Sequence, residues 1–174
     1  MRKLFIYIAA SLDGYIAAPG DDLGFLNAME KEGEDYGYNA FITEVDTVIL
    51  GRRTYDWVLE HLGYFSHKDK EAYIITRTTR PKEGNTTFYN GDLKELVTAL
   101  KEEEGKHIFC DGGAQIVHQL LKEDLVDEII VSLIPILLGD GTRLFNDGRP
   151  QMPLQLVNVT SFSTGLVQLH YKRA

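Results

Sequence analysis

The chain has 174 residues, with 26 Asp or Glu against 18 Lys or Arg, a formal net charge of −8 at pH 7 and 44% hydrophobic content. This length suits one folded domain spanning residues 1–174, since domains cluster at roughly 100–200 residues, and the acidic balance argues against a nucleic-acid-binding protein, which usually carries a basic excess. The single cysteine, Cys110, excludes an intramolecular disulfide and a multi-cysteine zinc site, and no apolar run approaches the ~18 residues that cross a bilayer.

The first predicted element is a strand near the N-terminus. Arg2 and Lys3 precede a continuously apolar, β-favouring run over residues 4–10. The same pattern occurs at the start of signal peptides, but this run is short for one and Asp13 interrupts the stretch early. A buried strand covered on both faces is therefore the preferred interpretation, and without an export signal we expect a cytoplasmic protein.

Up to about residue 125 the apolar pattern alternates between strands and helices. The predicted helices lie near 23–31 and 35–44, over 54–62, from a cap at Asp92 to Gly105, and over 114–121. Short β-favouring runs predict the strands 47–50, 71–76, 86–89 and 107–110. Strands joined through helices pair in parallel, so this part of the chain predicts a mostly parallel sheet.

From Leu125 onward the pattern predicts strands without intervening helices. These strands are expected over 126–134, about 136–138, 154–162 and 165–172. The last two are predicted to form a hairpin, which pairs its strands antiparallel. The sequence therefore predicts a single α/β domain with a mixed, mostly parallel sheet and antiparallel C-terminal strands at one edge. The apolar strands 126–138 are the segment expected to pair across a dimer.

Several predicted strands end in residues suited to binding phosphate. Residues 51–54 and 112–115 each follow a strand and open a helix, where free N–H groups and a partial positive charge attract anions. Glycine at such positions lets an anion approach the backbone closely. The arginines at strand ends are Arg52, Arg53, Arg77 and Arg80. Because ligands of open parallel sheets bind beyond the carboxyl ends of the strands, this convergence indicates a polyanionic ligand such as a dinucleotide.

Other ligand motifs are absent or incomplete. The run 139–141 resembles the start of a dinucleotide fingerprint, but Leu144 replaces the third glycine and no helix is predicted after it, so a turn is expected. Neither a phosphate loop ending in Gly-Lys-Ser/Thr nor a Gly-x-Ser-x-Gly nucleophile motif occurs. The histidines show no metal-ligand spacing, and we expect no bound metal.

Two acidic residues are candidates for catalysis. Asp13 follows the first predicted strand, where it would orient or protonate a substrate, but Asp before Gly is also a common turn former. Asp35 precedes the helix that leads into the second predicted strand, where it serves either as a helix cap or as a functional acid. Both interpretations stay open for each residue. Ser132, on a neighbouring strand, is a further candidate for lining the pocket.

The segments 11–17, 51–55 and 111–113, in this order and spacing, resemble the dihydrofolate reductase-like superfamily. The sequence is most similar to the branch related to the reductase domain of the bacterial bifunctional riboflavin-biosynthesis deaminase-reductase. The segments that resemble the late signature of that branch are 125–129, 135–141 and 144–145. The resemblance covers nearly the whole chain, and it implies a three-layer dihydrofolate reductase-like fold with NADPH bound across the strand ends.

The resemblance also implies roles for individual residues. Ala9 and Ala10 would flank the nicotinamide, whereas the residues on the pyrophosphate side would be Gly51, Arg52, Arg53 and Thr54. Thr76 and Arg77 would take the 2′-phosphate of the adenosine ribose. The remaining phosphates would be cradled by Gly112, Gly113, Ala114 and Gln115, and the Gly112–Gly113 peptide bond is a candidate for the cis form. An ungapped count places Asp35 near the substrate-binding acid of folate reductases.

Two departures from the riboflavin-pathway pattern bear on the substrate. Those reductases usually place a basic residue where Tyr15 stands, and the zinc signature of their deaminase half is absent. We expect an NADPH-dependent reductase of a small heterocyclic or ribosyl-amino substrate, resembling 5-amino-6-(5-phosphoribosylamino)uracil reductase. The alternatives are a dihydrofolate reductase-type pteridine reductase and a non-catalytic NADPH-binding homologue. The resemblance also implies a homodimer.

Overall fold

The computed structural model describes residues 1–174 and places ten strands in two sheets. The strands are β1 Leu4–Ser11, β2 Tyr15–Ala17, β3 Val45–Gly51, β4 Glu71–Ile75, β5 Thr86–Tyr89, β6 His107–Gly112, β7 Glu128–Ile134, β8 Thr142–Arg143, β9 Leu154–Ser161 and β10 Val167–Arg173. The helices are a 3-10 helix, Gly24–Met29, and the α-helices α1 Tyr38–Thr43, α2 Arg52–Leu62, α3 Leu93–Glu102 and α4 Ala114–Lys122.

Eight strands form one sheet in the order β5-β4-β3-β6-β1-β7-β10-β9. The pairs from β5 to β7 are parallel, whereas β10 runs antiparallel to both β7 and β9. The hairpin of β9 and β10 therefore adds antiparallel strands at one edge, and the predicted mixed sheet of a single α/β domain is confirmed. β2 and β8 form a separate two-stranded sheet.

Helices cover the central strands on both faces of the sheet. On one face, α3 and α4 bury apolar stripes against β6, β1 and β7. On the other face, Tyr55 of α2 and Phe41 of α1 pack against the same sheet. Successive residues of β3 alternate between the two clusters, with Ile49 in the first and Val48 and Leu50 in the second, as a period of two requires. The result is a three-layer structure, which confirms the dihydrofolate reductase-like fold.

The structure differs from the predicted elements in several places. No strand forms over 136–138, and Leu137 is 69% exposed. The carbonyl oxygen of Ile136 accepts a hydrogen bond from the backbone N–H of Leu12. The short strands β2 and β8 were not predicted, because two or three residues are too few to carry a period of two. The first two helices are shorter than predicted, and α2 begins at Arg52 rather than at residue 54.

The main sheet has two edge strands, β5 and β9, and β9 carries no charged residue. Its exposed apolar side chains are Leu154, Leu156, Val157 and Val159, each 42–52% accessible. The sequence placed a dimer contact in 126–138 instead. Within that range β7 has no free backbone edge, because it lies between β1 and β10 and is paired on both sides. None of the helices combines the length and the apolar character needed to span a bilayer.

Candidate functional site

The main sheet parts between its two central strands, β1 and β6. The two strands pair only over residues 4–6 and 108–110, whereas β1 stays paired with β7 as far as Ser11. Residues 7–11 therefore border an opening at the carboxyl ends of the strands. Gly112 borders the same opening, since a Cβ built on it would lie 4.0 Å from Cδ1 of Ile8. Ligands of open α/β sheets bind in crevices of this kind.

A pocket of about 380 Å³ lies beside this opening, on the face of the sheet that α1 and α2 cover. Its walls come from β1, β6 and β7 and from the segment 26–38, and 10 of its 15 lining residues are hydrophobic. Three residues that the sequence singled out, Ala9, Asp35 and Ser132, lie on these walls. The tertiary structure thus brings together residues that are far apart in the chain around one ligand-sized space.

Asp35 lies just before α1 and is held by backbone hydrogen bonds. Its Oδ1 accepts from the N–H of Gly37 and its Oδ2 from the N–H of Asn39, each at 3.0 Å. These bonds, with that from Gly37 first, lower the pKa of Asp35. A carboxylate that stays ionised accepts hydrogen bonds and has no proton to donate at neutral pH. Asp35 is therefore suited to binding an N–H group of a ligand.

Asp111 lines the same pocket from the end of β6, and the sequence analysis included it only in the segment 111–113, without a role of its own. Its Oδ2 accepts a hydrogen bond from Nε2 of His67 at 3.0 Å. The His67 side chain is only 6% exposed and packs edge-on against Phe65 and Phe109, which fixes the imidazole. No motif could have revealed this pair, because its members lie 44 residues apart and the contact depends on the fold.

A polar network closes one wall of the pocket. The Tyr7 hydroxyl donates to the carbonyl oxygen of Tyr36 at 2.8 Å and accepts from Nε2 of Gln168 at 2.9 Å. The same amide nitrogen lies 3.1 Å from Oγ of Ser132. Burial raises the pKa of Tyr7, although the hydrogen bond from Gln168 opposes it, so the hydroxyl stays protonated at neutral pH. The network ties the segment around Tyr36 to the central strands.

Asp13 does not line the pocket. Its Oδ1 accepts from Oγ of Ser11 at 2.6 Å and from the N–H of Leu138 at 3.1 Å, while its Oδ2 accepts from the N–H of Gly139 at 2.8 Å. These bonds, with that from Ser11 first, lower the pKa of Asp13. The carboxylate joins the turn after β1 to the segment 138–139, which favours the turn interpretation over a catalytic one.

Residues 51–54 and 112–115, predicted to hold phosphates, meet at adjacent strand ends. α2 and α4 begin there with Gly51 and Gly113 as N-caps, and neither helix has a side-chain cap. A Cβ on Gly113 would lie 3.0 Å from Oγ1 of Thr54, and a Cβ on Gly51 would lie 3.3 Å from Cγ1 of Ile116. The backbone therefore approaches closely here, and two helix starts offer N–H groups at one edge. The Gly112–Gly113 peptide bond is cis, as the resemblance implied.

β4 brings a third phosphate-suited segment to the same edge. Ile75 pairs with Gly51, so Thr76 and Arg77 follow directly beside the start of α2. Thr76 is buried and its Oγ1 accepts from the N–H of Thr78 at 3.1 Å. Arg77 is exposed and takes no part in the salt bridges of the neighbouring arginines.

The other arginines at this edge form exposed ion pairs. Arg53 donates to Oδ2 of Asp21 at 2.5 and 3.0 Å, and Arg52 and Arg80 each lie 4.0 Å from a carboxylate oxygen of Asp56. Exposed pairs of this kind contribute about 0–1 kcal/mol, so a phosphate could displace the carboxylates.

Ala10 differs from the other predicted cofactor residues. Its side chain is fully buried in the core cluster that α3 and α4 cover, whereas the side chain of Ala9 lines the pocket. Successive residues of a strand point to opposite faces, so only one of two neighbouring alanines can present its methyl group to the pocket. Any contact of Ala10 with a ligand would therefore involve its backbone.

A larger depression of about 700 Å³ lies at the opposite edge of the sheet, where β1 and β6 begin. Its two basic side chains are already paired, Arg2 with Asp46 and Glu103 and Lys101 with Asp127. The carboxyl edge holds both the pocket and the uncapped helix starts, so we place the candidate site there rather than in the larger depression.

Comparison with known proteins agrees with this architecture. The family model described as RibD C-terminal domain matches residues 2–168. The uncharacterized protein YwjB of Bacillus subtilis strain 168 is 40% identical over 174 residues, which is 99% of each chain. A solved structure from Shewanella sp. PV-4, whose name provisionally assigns it to riboflavin biosynthesis, is 29% identical with a TM-score of 0.90 and covers 99% of both chains.

A bifunctional enzyme has a similar fold. The diaminohydroxyphosphoribosylaminopyrimidine deaminase/5-amino-6-(5-phosphoribosylamino)uracil reductase of Thermotoga maritima has a TM-score of 0.73 at 14% identity. The match covers 99% of this chain and 57% of that one. At this identity the similarity concerns the fold alone.

Proposed function

The chain belongs to the RibD C-terminal domain family, and on that basis we propose that it is an NADPH-dependent reductase of a small nitrogen heterocycle or ribosyl-amino compound. One observation carries the proposal: the strand end 111–113 borders two sites at once. Asp111 lines the pocket, and Gly112 and Gly113 lead into the uncapped start of α4. A nicotinamide at the opening between β1 and β6 would therefore adjoin a substrate in the pocket.

The residues at the carboxyl edge fit the phosphates of this cofactor. The backbone N–H groups at the starts of α2 and α4 would hold the pyrophosphate, and Arg77, with Thr76 beside it, would hold the 2′-phosphate. Ile8 and Ala9 supply apolar surface where the sheet parts. When bound, NADPH supplies a hydride, and the unsaturated bond of the substrate that is reduced gains that hydride and one proton.

The side chains of the pocket orient the substrate and exclude water from it. Asp35, before α1, and Asp111, at the end of β6, both line the pocket and would accept hydrogen bonds from a bound substrate. The Tyr7 network holds the segment around Tyr36 against the sheet. Burial, with the nearby charge of Asp111, raises the pKa of Tyr38, so this hydroxyl is a neutral donor. The lowered pKa values of Asp13 and Asp35 keep both carboxylates ionised at neutral pH, so neither is suited to donating the proton.

Titration with NADPH and with NADH, followed by nicotinamide fluorescence, tests this proposal. We expect saturable binding of NADPH with a preference over NADH, and oxidation of bound NADPH when a suitable heterocycle is added. Failure of both nucleotides to bind at millimolar concentration would overturn the proposal. Tight NADPH binding without oxidation by 5-amino-6-(5-phosphoribosylamino)uracil, its unphosphorylated form or dihydrofolate would favour the non-catalytic homologue instead.

A homodimer is part of the same proposal, with β9 as its interface. The eight residues of β9 carry no charge and expose apolar side chains at an open sheet edge, which soluble monomers usually protect. A second copy presents the same edge, so a two-fold axis would pair β9 of one copy with β9 of the other. Sedimentation should show a dimer that Leu156→Lys dissociates and that the control Leu137→Lys leaves intact. A monomer at all concentrations would exclude this interface.

A further inference from the structure

The charged residues that line the pocket are all acidic. Glu30, Glu34, Asp35 and Asp111 contribute four carboxylates, whereas no Lys, Arg or His is among the 15 lining residues. The cations of the site lie instead at the cofactor edge, on α2 and after β4. The pocket and the cofactor edge therefore differ in sign, although they share one rim of the sheet.

The four carboxylates that line the pocket have acceptor capacity that the protein does not use. Each oxygen of Asp35 accepts one backbone N–H, and Asp111 uses its Oδ2 to accept from His67. An ionised carboxylate has about four lone-pair sites, so these bonds leave acceptors unused. Glu34 accepts one bond, from the N–H of Tyr36, and Glu30 is exposed at the rim. Nothing in this set complements an anion.

From this charge distribution we infer that the substrate is an unphosphorylated heterocycle that is rich in N–H donors and is neutral or cationic. The inference rests on the proposed function and narrows its substrate class. A phosphate monoester carries a charge of about −1.5 to −2, and proteins bind such groups with Arg, Lys or free backbone N–H groups. In this pocket it would meet four carboxylates, whereas amino and ring N–H groups would find acceptors both on the segment 30–35 and at the end of β6.

The residue at position 15 adds no cation to the pocket. Tyr15 is buried against the guanidinium of Arg143, whose Cζ lies 5.2 Å from the ring centroid, so an aromatic contact holds the side chain. Neither Tyr15 nor Arg143 lines the pocket. The riboflavin-pathway resemblance suggested a basic residue for a sugar phosphate at this position. The cation next to it here, Arg143 of β8, stacks on the Tyr15 ring and does not line the pocket.

A matched pair of compounds tests the inference: 5-amino-6-(ribosylamino)uracil with and without its 5-phosphate. Calorimetric titration into the NADPH-loaded protein should show the unphosphorylated compound binding about tenfold or more tightly, because like charges placed together disfavour association. Phosphorylated compound bound equally or more tightly, or binding of neither compound, would overturn the inference. Neither result affects the proposed cofactor, whose binding is measured first in the absence of both compounds.

A charge-reversed variant tests the same inference by changing the protein instead of the compound. Glu30→Lys places a cation at the exposed rim of the pocket, and we expect it to reduce the preference for the unphosphorylated compound by about tenfold. The matched control is Glu32→Lys, which makes the same change in net charge at an exposed residue outside the pocket lining. An equal change in both variants would show that net charge, not the pocket, sets the preference.

Discussion

The imidazole Nε2 of His67 lies 3.0 Å from Oδ2 of Asp111, and this contact joins the loop after α2 to the end of β6. The histidine is nearly buried, while the carboxylate is 30% exposed and lines the pocket. His67 therefore holds Oδ2 of Asp111 and leaves Oδ1 of that carboxylate for a ligand. This makes His67 a positioning residue, because it acts on the substrate only through Asp111.

Replacing His67 tests that role. His67→Leu removes the N–H donor, and we expect kcat/KM for the heterocyclic substrate to fall about tenfold. A loss of this size corresponds to the free energy of one hydrogen bond to a charged group. NADPH affinity should stay unchanged. His67→Gln keeps a donor and should restore much of the loss. Equal losses in the two variants, or a parallel loss of NADPH affinity, would instead indicate that the histidine only supports the loop.

Arg77 should decide the choice between the two nicotinamide cofactors. Arg77→Ala removes an exposed cation beside the start of α2, so NADPH affinity should fall about tenfold while NADH affinity changes little. Fluorescence titration measures both constants. The control is Lys122→Ala, which removes an exposed charge at the far end of α4. Equal losses for both nucleotides would exclude Arg77 from the 2′-phosphate site.

Replacement by asparagine should affect stability at Asp13 and substrate binding at Asp35. Asp13→Asn weakens the acceptors that hold Ser11 and residues 138–139, so we expect a lower melting temperature with kcat/KM retained in the folded protein. Asp35→Asn alters the pocket wall, so the substrate KM should rise while NADPH affinity is retained. Thermal melts and steady-state kinetics on both variants separate the two roles. The reverse pattern would make Asp13 the substrate-binding acid.

Ligand binding should depend on pH through Asp35. Its pKa lies below the ordinary value of 3.8 because the backbone of Gly37 and Asn39 donates to it. Affinity for an N–H donor ligand, and the contribution of Asp35 to stability, should both be fully present at neutral pH and be lost as pH falls through this lowered value. Calorimetry from neutral to acidic pH measures the profile, and Asp35→Asn should remove its acidic limb. An acidic limb that persists in that variant would assign the titration to another pocket carboxylate.

Cys110 should resist thiol reagents in the folded protein. Burial raises the pKa of its thiol to about 12, and its side chain has no exposed surface. The thiolate is the reactive form, so labelling should be slow in native buffer and rapid after denaturation. Because the chain has one cysteine, the labelling rate reports opening of the core around β6. Native labelling as fast as that of free glutathione would contradict the burial.

Local sequence patterns predicted much of the framework of this site. The phosphate-suited turns at 51–54, 76–77 and 112–115 were expected at strand ends, and strand order brings them to one edge. The pairing of His67 with Asp111 could not be predicted, since it joins residues that share no motif and lie in different elements. The role of Asp13 was undecided for the same reason, because the N–H groups it binds come from a segment more than a hundred residues away.

By itself the sequence determined which segments are strands and helices, their parallel connections and the glycines and arginines at the strand ends. These features depend on periodicity and backbone preference over a few neighbouring residues, so the linear order carries them. Only the tertiary structure decided that the sheet parts between β1 and β6, and that the pocket beside this opening is lined by carboxylates without a cation. Strand register and the packing of the 26–38 segment set those properties, and both depend on contacts between distant parts of the chain.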